Sequence, residues 1–225
     1  MPTRAALILA GAALLAVATA VLLLRNPEPR YKGRTLEYWI QCNRQSPGDP
    51  DAREAIVSIT TNNVPLLLQR LTADTSSEER LAAKVAASLR KNTIIRRFII
   101  DHFLYRQRYR AACSVRAFRV SGTNAASAAP EVAQLLNGRY SLMVKTHAIL
   151  ILTEFGPSAL PSIRQAMKNP DAHVRGMAVY AAGQLGTNAA PAIPDLVASL
   201  ADADYSVRST ATNVLDTLAP ELLPP

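Results

Sequence analysis

The residues best suited to chemistry are the arginines of one stretch, residues 90–119. This stretch holds nine basic residues and a single acid, Asp101, so it carries the whole net charge of +8. Arginine presents a planar fork of donors that fits carboxylate and phosphate groups through paired hydrogen bonds. The composition therefore predicts a surface for an anionic partner, which is an acidic protein, anionic lipid headgroups or nucleic acid.

Helical spacing divides the arginines of this stretch. Phe98, Ile99 and Phe103 are expected to point to the core, which turns some arginines outward and leaves others near the rim. The candidate partner-binding residues are Arg96, Arg97, Arg106, Arg108 and Arg110. A second interpretation stays open, because charged helix faces are often only solvated or paired with acids of neighbouring elements.

Groups that could support catalysis or metal binding are sparse. Three histidines (His102, His147 and His173) lie far apart, and none has a second ligand type at the offsets of a metal site. Cys42 and Cys113 form no CxxC pair and are interpreted as small buried apolar residues. The sequence also lacks a glycine-rich phosphate loop and a GxSxG elbow. We therefore predict no enzyme activity, no cofactor and no metal.

The elements that position these residues follow a repeat. Three basic residues each stand 11 residues before a small residue, and they are spaced by 30 and 33 residues: Lys145 before Gly156, Arg175 before Gly186, and Arg208 before Ala219. Such a period predicts stacked helical hairpins. Gly186 is placed to end the first helix in a left-handed conformation, and Pro194 to lie in the first turn of the second helix.

Acids mark the starts of the first helices. Asp171 and Asp204 each precede an arginine by four residues, Arg175 and Arg208. The sequence predicts that these acids cap their helices and that each arginine supports the same helix as an i,i+4 partner. Helices are expected at about 52–59, 65–71, 93–105, 108–121, 126–136, 142–155, 158–168, 172–185, 191–200 and 204–218, with a further helix opened by a capping box at Ser76 and Glu79.

Residues 185–211, LGTNAAPAIPDLVASLADADYSVRSTA, resemble a HEAT repeat of the short, bilin-lyase-like type. The resemblance covers residues 51–225 and implies an all-α, right-handed α-solenoid of about five helical hairpins. It also implies a scaffold that binds another protein along a concave face made by the second helices, at residues 65–71, 93–105, 131–136, 162–167 and 195–200. The alternative it leaves open is an enzyme or enzyme subunit of the bilin-lyase kind.

The N-terminal segment is the other distinct feature. Residues 5–24 contain no charge and are bounded by Arg4 and Arg25. A helix of this length spans about 30 Å, the thickness of the hydrocarbon core. The segment predicts one uncleaved membrane anchor at residues 1–25 in a bacterial cytoplasmic membrane, which makes nucleic acid the least expected partner. A cleaved signal peptide is the alternative, with Ala18 to Ala20 as the cleavage site.

The remaining boundary lies between the anchor and the repeats. Residues 26–50 are predicted to form a stiff linker at 26–33 and a short capping helix that begins after Thr35 and carries the only tryptophan, Trp39. Such a helix is expected to cover the open end of the first repeat. Positive charges after residue 24 favour a cytoplasmic domain, whereas long domains can cross the membrane whatever their charge. The HEAT-like solenoid then occupies residues 51–225.

Overall fold

A computed structural model describes residues 28–72 and 105–222, together with the single residues 87 and 94. The predicted anchor, the capping box at Ser76, and the candidate residues Arg96 and Arg97 lie outside the described residues. Within the described part, no helix is both long enough and apolar enough to cross a bilayer.

The chain enters the fold through a small hairpin that the sequence interpretation missed. Strand β1 (Arg30–Tyr31) pairs antiparallel with β2 (Arg34–Thr35). Lys32 and Gly33 both have positive φ, 46° and 76°, which is the geometry of the two-residue turns that suit hairpin twist. The second half of the predicted linker is therefore folded, because Lys-Gly supplies a turn and Tyr31 packs against the core.

Helix α1 (Leu36–Gln45) follows directly and begins after Thr35, as predicted. The Thr35 side chain accepts a hydrogen bond from the Tyr38 amide at 3.4 Å. Trp39 is half-buried against the core, and its indole N–H donates to the Tyr31 carbonyl at 3.2 Å. Helices α2 (Pro50–Asn62) and α3 (Val64–Leu71) form the first hairpin, with Asp49 as the N-cap of α2.

The later repeats alternate long first helices with short second helices. The first helices are α4 (Arg106–Ser121), α6 (Leu142–Glu154), α8 (Ala172–Gln184) and α10 (Tyr205–Leu218). The second helices are α5 (Ala129–Asn137), α7 (Leu160–Ala166) and α9 (Ile193–Ser199). Each predicted helix in this region is found. The second helices begin later than predicted, because their first residues form 3-10 turns at Gly122–Ala128, Gly156–Ala159 and Gly186–Ala192.

Glycine ends three of the first helices as the repeat pattern predicts. Gly122, Gly156 and Gly186 have φ of +50°, +70° and +58°. A side chain at these backbone angles would be strained, whereas glycine adopts them without a Cβ penalty.

The first helices lie side by side, so that α4 contacts α6, α6 contacts α8, and α8 contacts α10. Each second helix packs on the first helix that follows it. Among the described residues, the buried apolar side chains form one cluster that extends from Leu36 to Ala219. Each hairpin thus buries its apolar face against its neighbours, which is the packing of stacked helical repeats.

Candidate interaction surfaces

Helix α4 carries the described half of the predicted basic surface. Arg106 and Arg108 are exposed, as is Arg116 nearer the C-terminal end of the helix. Arg110 is only half-exposed, and its Nη2 donates to Oε1 of Glu28. Arg119 binds Glu154 of α6 through Nε and Oε1 at 2.9 Å. Pairing with an acid of an adjacent repeat is therefore confirmed for Arg119, whereas Arg110 pairs with an acid of the predicted linker.

Two exposed tyrosines and Arg116 were missing from the candidate list. Tyr105 and Tyr109 are 64% and 47% exposed, although both are large aromatic residues. Six exposed residues lie on one face of α4 and of the residue before it: Tyr105, Arg108, Tyr109, Ala112, Arg116 and Arg119. Their spacing of i, i+3, i+4, i+7, i+11 and i+14 from Tyr105 was visible in the sequence and would have identified them.

A buried ion pair lies behind α4. Arg70 of α3 is 7% exposed and binds Glu37 of α1 through Nη1 and Oε1 at 3.2 Å. Burial lowers the pKa of Arg70, and the Glu37 carboxylate opposes that shift. Arg110 and Glu28 also act on Arg70 electrostatically, so the two ion pairs belong to one cluster that joins α1, α3 and α4.

Cys113 borders the same cluster. It is buried, as predicted, and burial raises the pKa of its thiol. Burial raises the pKa of Tyr109, and Cys113 raises it further. Arg44 is exposed in the last turn of α1, a helix that packs against α4. Cys42 is only half-buried.

Charged pairs also join successive repeats, and here one prediction is wrong. Asp171 and Asp204 cap α8 and α10 as expected. Arg175, however, binds Asp202 of the next repeat, with Nε–Oδ2 at 2.7 Å and Nη2–Oδ1 at 2.8 Å. Lys145 binds Asp171 in the same way across the preceding boundary, at 2.9 Å. The side chains are long enough to reach the neighbouring loop, where a two-point contact is available.

Arg175 and Arg208 also each hold the inter-repeat loop that precedes their own helix. Nη1 of Arg175 donates to the Asn169 and Pro170 carbonyls, at 2.9 and 3.1 Å. Nη1 of Arg208 repeats this on the two corresponding carbonyls of the next loop, at 2.7 and 2.9 Å. Arg175 and Arg208 therefore hold these loops through backbone carbonyls, a contact that the sequence interpretation did not include.

The acids of these contacts are held in their charged form. The hydrogen bond from Lys145 lowers the pKa of Asp171, and the hydrogen bond from Arg175 lowers that of Asp202. Asp195 of α9 is buried, which alone would raise its pKa. Hydrogen bonds from Arg164 of α7 and from Lys168 just after that helix, at 2.5 and 3.0 Å, outweigh burial and lower it.

The second helices, which the resemblance implied as the binding face, offer little apolar surface. Arg164 and Lys168 are committed to Asp195. Val197 is the one large apolar side chain exposed on the described second helices, α3, α5, α7 and α9.

The first helices present a different surface. Met143 of α6 is 63% exposed, and Tyr180 of α8 is nearly half exposed. Between α8 and α10 lies a groove of about 380 Å³. It is lined by Ala172, His173, Gly176, Met177, Tyr180, Asp204, Ser206 and Thr210. Asp204 is the only charged residue in this lining, and its carboxylate caps α10 by accepting from the Ser206 and Val207 amides.

The groove holds a histidine and an acid, the residue types that an enzyme would need. Asp204 is occupied as a cap, and a ring nitrogen of His173 lies 3.3 Å from the Thr146 hydroxyl. His147 also has a partner. In the ranges 28–72 and 105–222, no three histidine, cysteine or acidic residues are grouped as metal ligands.

Comparison with known families agrees with the repeat architecture. Residues 129–216 match a family model described as HEAT repeats, and this span runs from α5 almost to the end of α10. A search of curated proteins gives no match. The family match and the stacked helices together support a HEAT-repeat protein.

Proposed function

We propose that this HEAT-repeat protein is a membrane-anchored scaffold that binds another protein through the groove between α8 and α10. HEAT repeats commonly mediate protein–protein interaction. Repeat stacking gives an extended binding surface to which several helices contribute.

The groove carries this proposal. Met177 and Tyr180 supply adaptable and aromatic contact surface, the side-chain types enriched at interface centres. The Tyr180 ring is amphipathic and can bury its face while its hydroxyl stays hydrated. The partner that fits is therefore a protein segment with an apolar side chain at the centre and polar groups around it.

Anchoring is the second part of the proposal and rests on the sequence of residues 5–24. An uncharged segment of this length matches the bilayer core, and Arg4 and Arg25 bound it. The protein is expected to stay with membranes after a carbonate wash. Release of the intact chain by that wash would remove the anchor from the proposal, and a mature N-terminus near Val21 would identify a cleaved signal peptide.

A photo-crosslinking residue at position 180 tests the groove. In native membranes, a probe that replaces Tyr180 should capture one protein in good yield. The matched probe replaces Thr212, which is exposed on α10 but outside the groove lining. The variant Met177→Asp should abolish capture by the position 180 probe and leave α-helical content unchanged. Equal capture from both positions, or none from position 180, would reject the groove as the binding site.

A further inference from the structure

The Glu28–Arg110 ion pair holds the chain just before strand β1 against α4. Arg110 lies in the second turn of α4. Only three residues separate Glu28 from Leu24, the last residue of the apolar segment. An extended chain covers at most about 3.6 Å per residue, so four steps reach no farther than roughly 14 Å. A bilayer entered at Leu24 therefore lies close to the N-terminal half of α4.

The side chains exposed at that half of α4 are of two kinds. Arg106 and Arg108 are cationic, and Arg44 adds a third exposed guanidinium in the last turn of α1, which packs against α4. Tyr105 and Tyr109 are amphipathic and exposed. Tyrosine is enriched at the membrane–water interface, and anionic lipids attract juxtamembrane cations near the surface. This composition suits headgroups better than it suits a folded acidic protein.

We propose that Arg44, Tyr105, Arg106, Arg108 and Tyr109 form a lipid-contact surface that binds the phosphates of anionic headgroups. The inference rests on the anchor in the proposed function. It assigns anionic lipid as the partner of the arginine-rich stretch. It also orients the helical repeats on the membrane, since the N-terminal half of α4 then faces the bilayer. The protein-binding groove between α8 and α10 is a separate surface.

The test uses the full chain in vesicles of phosphatidylcholine alone or with phosphatidylglycerol. A fluorophore is placed on Ala112→Cys, exposed one turn beyond Tyr109, and in a second sample on Thr212→Cys of α10; Cys42→Ser prevents labelling at the half-buried thiol. A quencher on the lipid headgroups reports proximity. We expect strong quenching at position 112 with phosphatidylglycerol, at least twofold weaker quenching with phosphatidylcholine or high salt, and little quenching at position 212.

Charge reversal supplies the matched control. Arg106→Glu/Arg108→Glu should remove the dependence on phosphatidylglycerol, whereas Arg116→Glu/Arg139→Glu makes the same charge change at other exposed positions and should keep it. An equal loss in both variants would show bulk attraction and overturn the site. Quenching at position 112 that does not depend on lipid charge would overturn the lipid-contact surface.

Failure of the anchor is recognised separately. If a carbonate wash strips the protein from vesicles, co-sedimentation at low salt becomes the readout. Binding to phosphatidylglycerol vesicles that disappears in Arg106→Glu/Arg108→Glu would keep the lipid surface. Absence of binding by the wild-type chain would overturn it.

Discussion

Arg175 and Asp202, which are 27 residues apart, join α8 to the next inter-repeat loop through two parallel hydrogen bonds of 2.7 and 2.8 Å. The same guanidinium donates to two carbonyls of its own loop. A single side chain thus contacts the loops at both boundaries of its repeat.

We expect Asp202→Asn to weaken this boundary. The amide cannot accept both charge-assisted hydrogen bonds, and the cost of an imperfect partner at a mostly buried site is about 1–3 kcal/mol. Urea unfolding measures the change. Asp216→Asn, at an exposed position of α10, serves as the control and should change the free energy of unfolding by about 0.5 kcal/mol or less. Equal effects of the two substitutions would show that the contact contributes nothing specific.

Acid should destabilise the protein through the same contacts. The folded-state pKa values of Asp171, Asp195 and Asp202 lie below the unfolded value of about 3.9. Their stabilisation is therefore fully present above about pH 5 and is lost as the pH falls through the folded pKa values, where the unfolded chain binds more protons. Urea unfolding between pH 7 and pH 3 should show a plateau followed by a decline, and Asp202→Asn should make the decline shallower.

Two glycines of α8 should respond to alanine in opposite directions. A Cβ at Gly183 would lie 2.7 Å from Cγ2 of Val214 on α10, too close without a shift, whereas a Cβ at Gly176 would meet Val207 at 3.7 Å, an ordinary contact. Gly176→Ala should stabilise the protein by about 0.5–1 kcal/mol through helix propensity. Gly183→Ala should destabilise it by about 1–3 kcal/mol through overpacking.

A compensating variant separates overpacking from other causes. Val214→Ala removes both methyl groups that oppose a Cβ at position 183. The loss in the free energy of unfolding caused by Gly183→Ala should therefore be smaller in the Val214→Ala background. An unchanged cost in that background would contradict close α8–α10 packing at this point.

Most of the repeat architecture could be predicted from the sequence because its signals are local. Gly186 and Asp204 each specify a helix end through their own backbone or side chain, and the structure confirms both. The partner of Arg175 could not be predicted, because local spacing favours Asp171 and carries no information about Asp202, which lies 27 residues away. Arg110 posed the same difficulty, because its partner Glu28 is 82 residues away. Contacts between distant residues depend on the packed fold, which the charge pattern alone does not reveal.

The Glu28–Arg110 pair yields the last prediction. Arg70 lies within electrostatic reach of both partners. Glu28→Arg would leave three guanidinium groups together, with Glu37 as the one acid known to neutralise them. Arg110→Glu would instead place a third carboxylate near Arg70, beside Glu37 and Glu28. We therefore expect each single substitution to lower the free energy of unfolding, with a loss of about 1.5–3 kcal/mol for the hydrogen bond between charged groups. The exchange variant Glu28→Arg/Arg110→Glu should recover more than half of that loss in urea unfolding. Additive losses in the double variant would show that the two side chains do not interact.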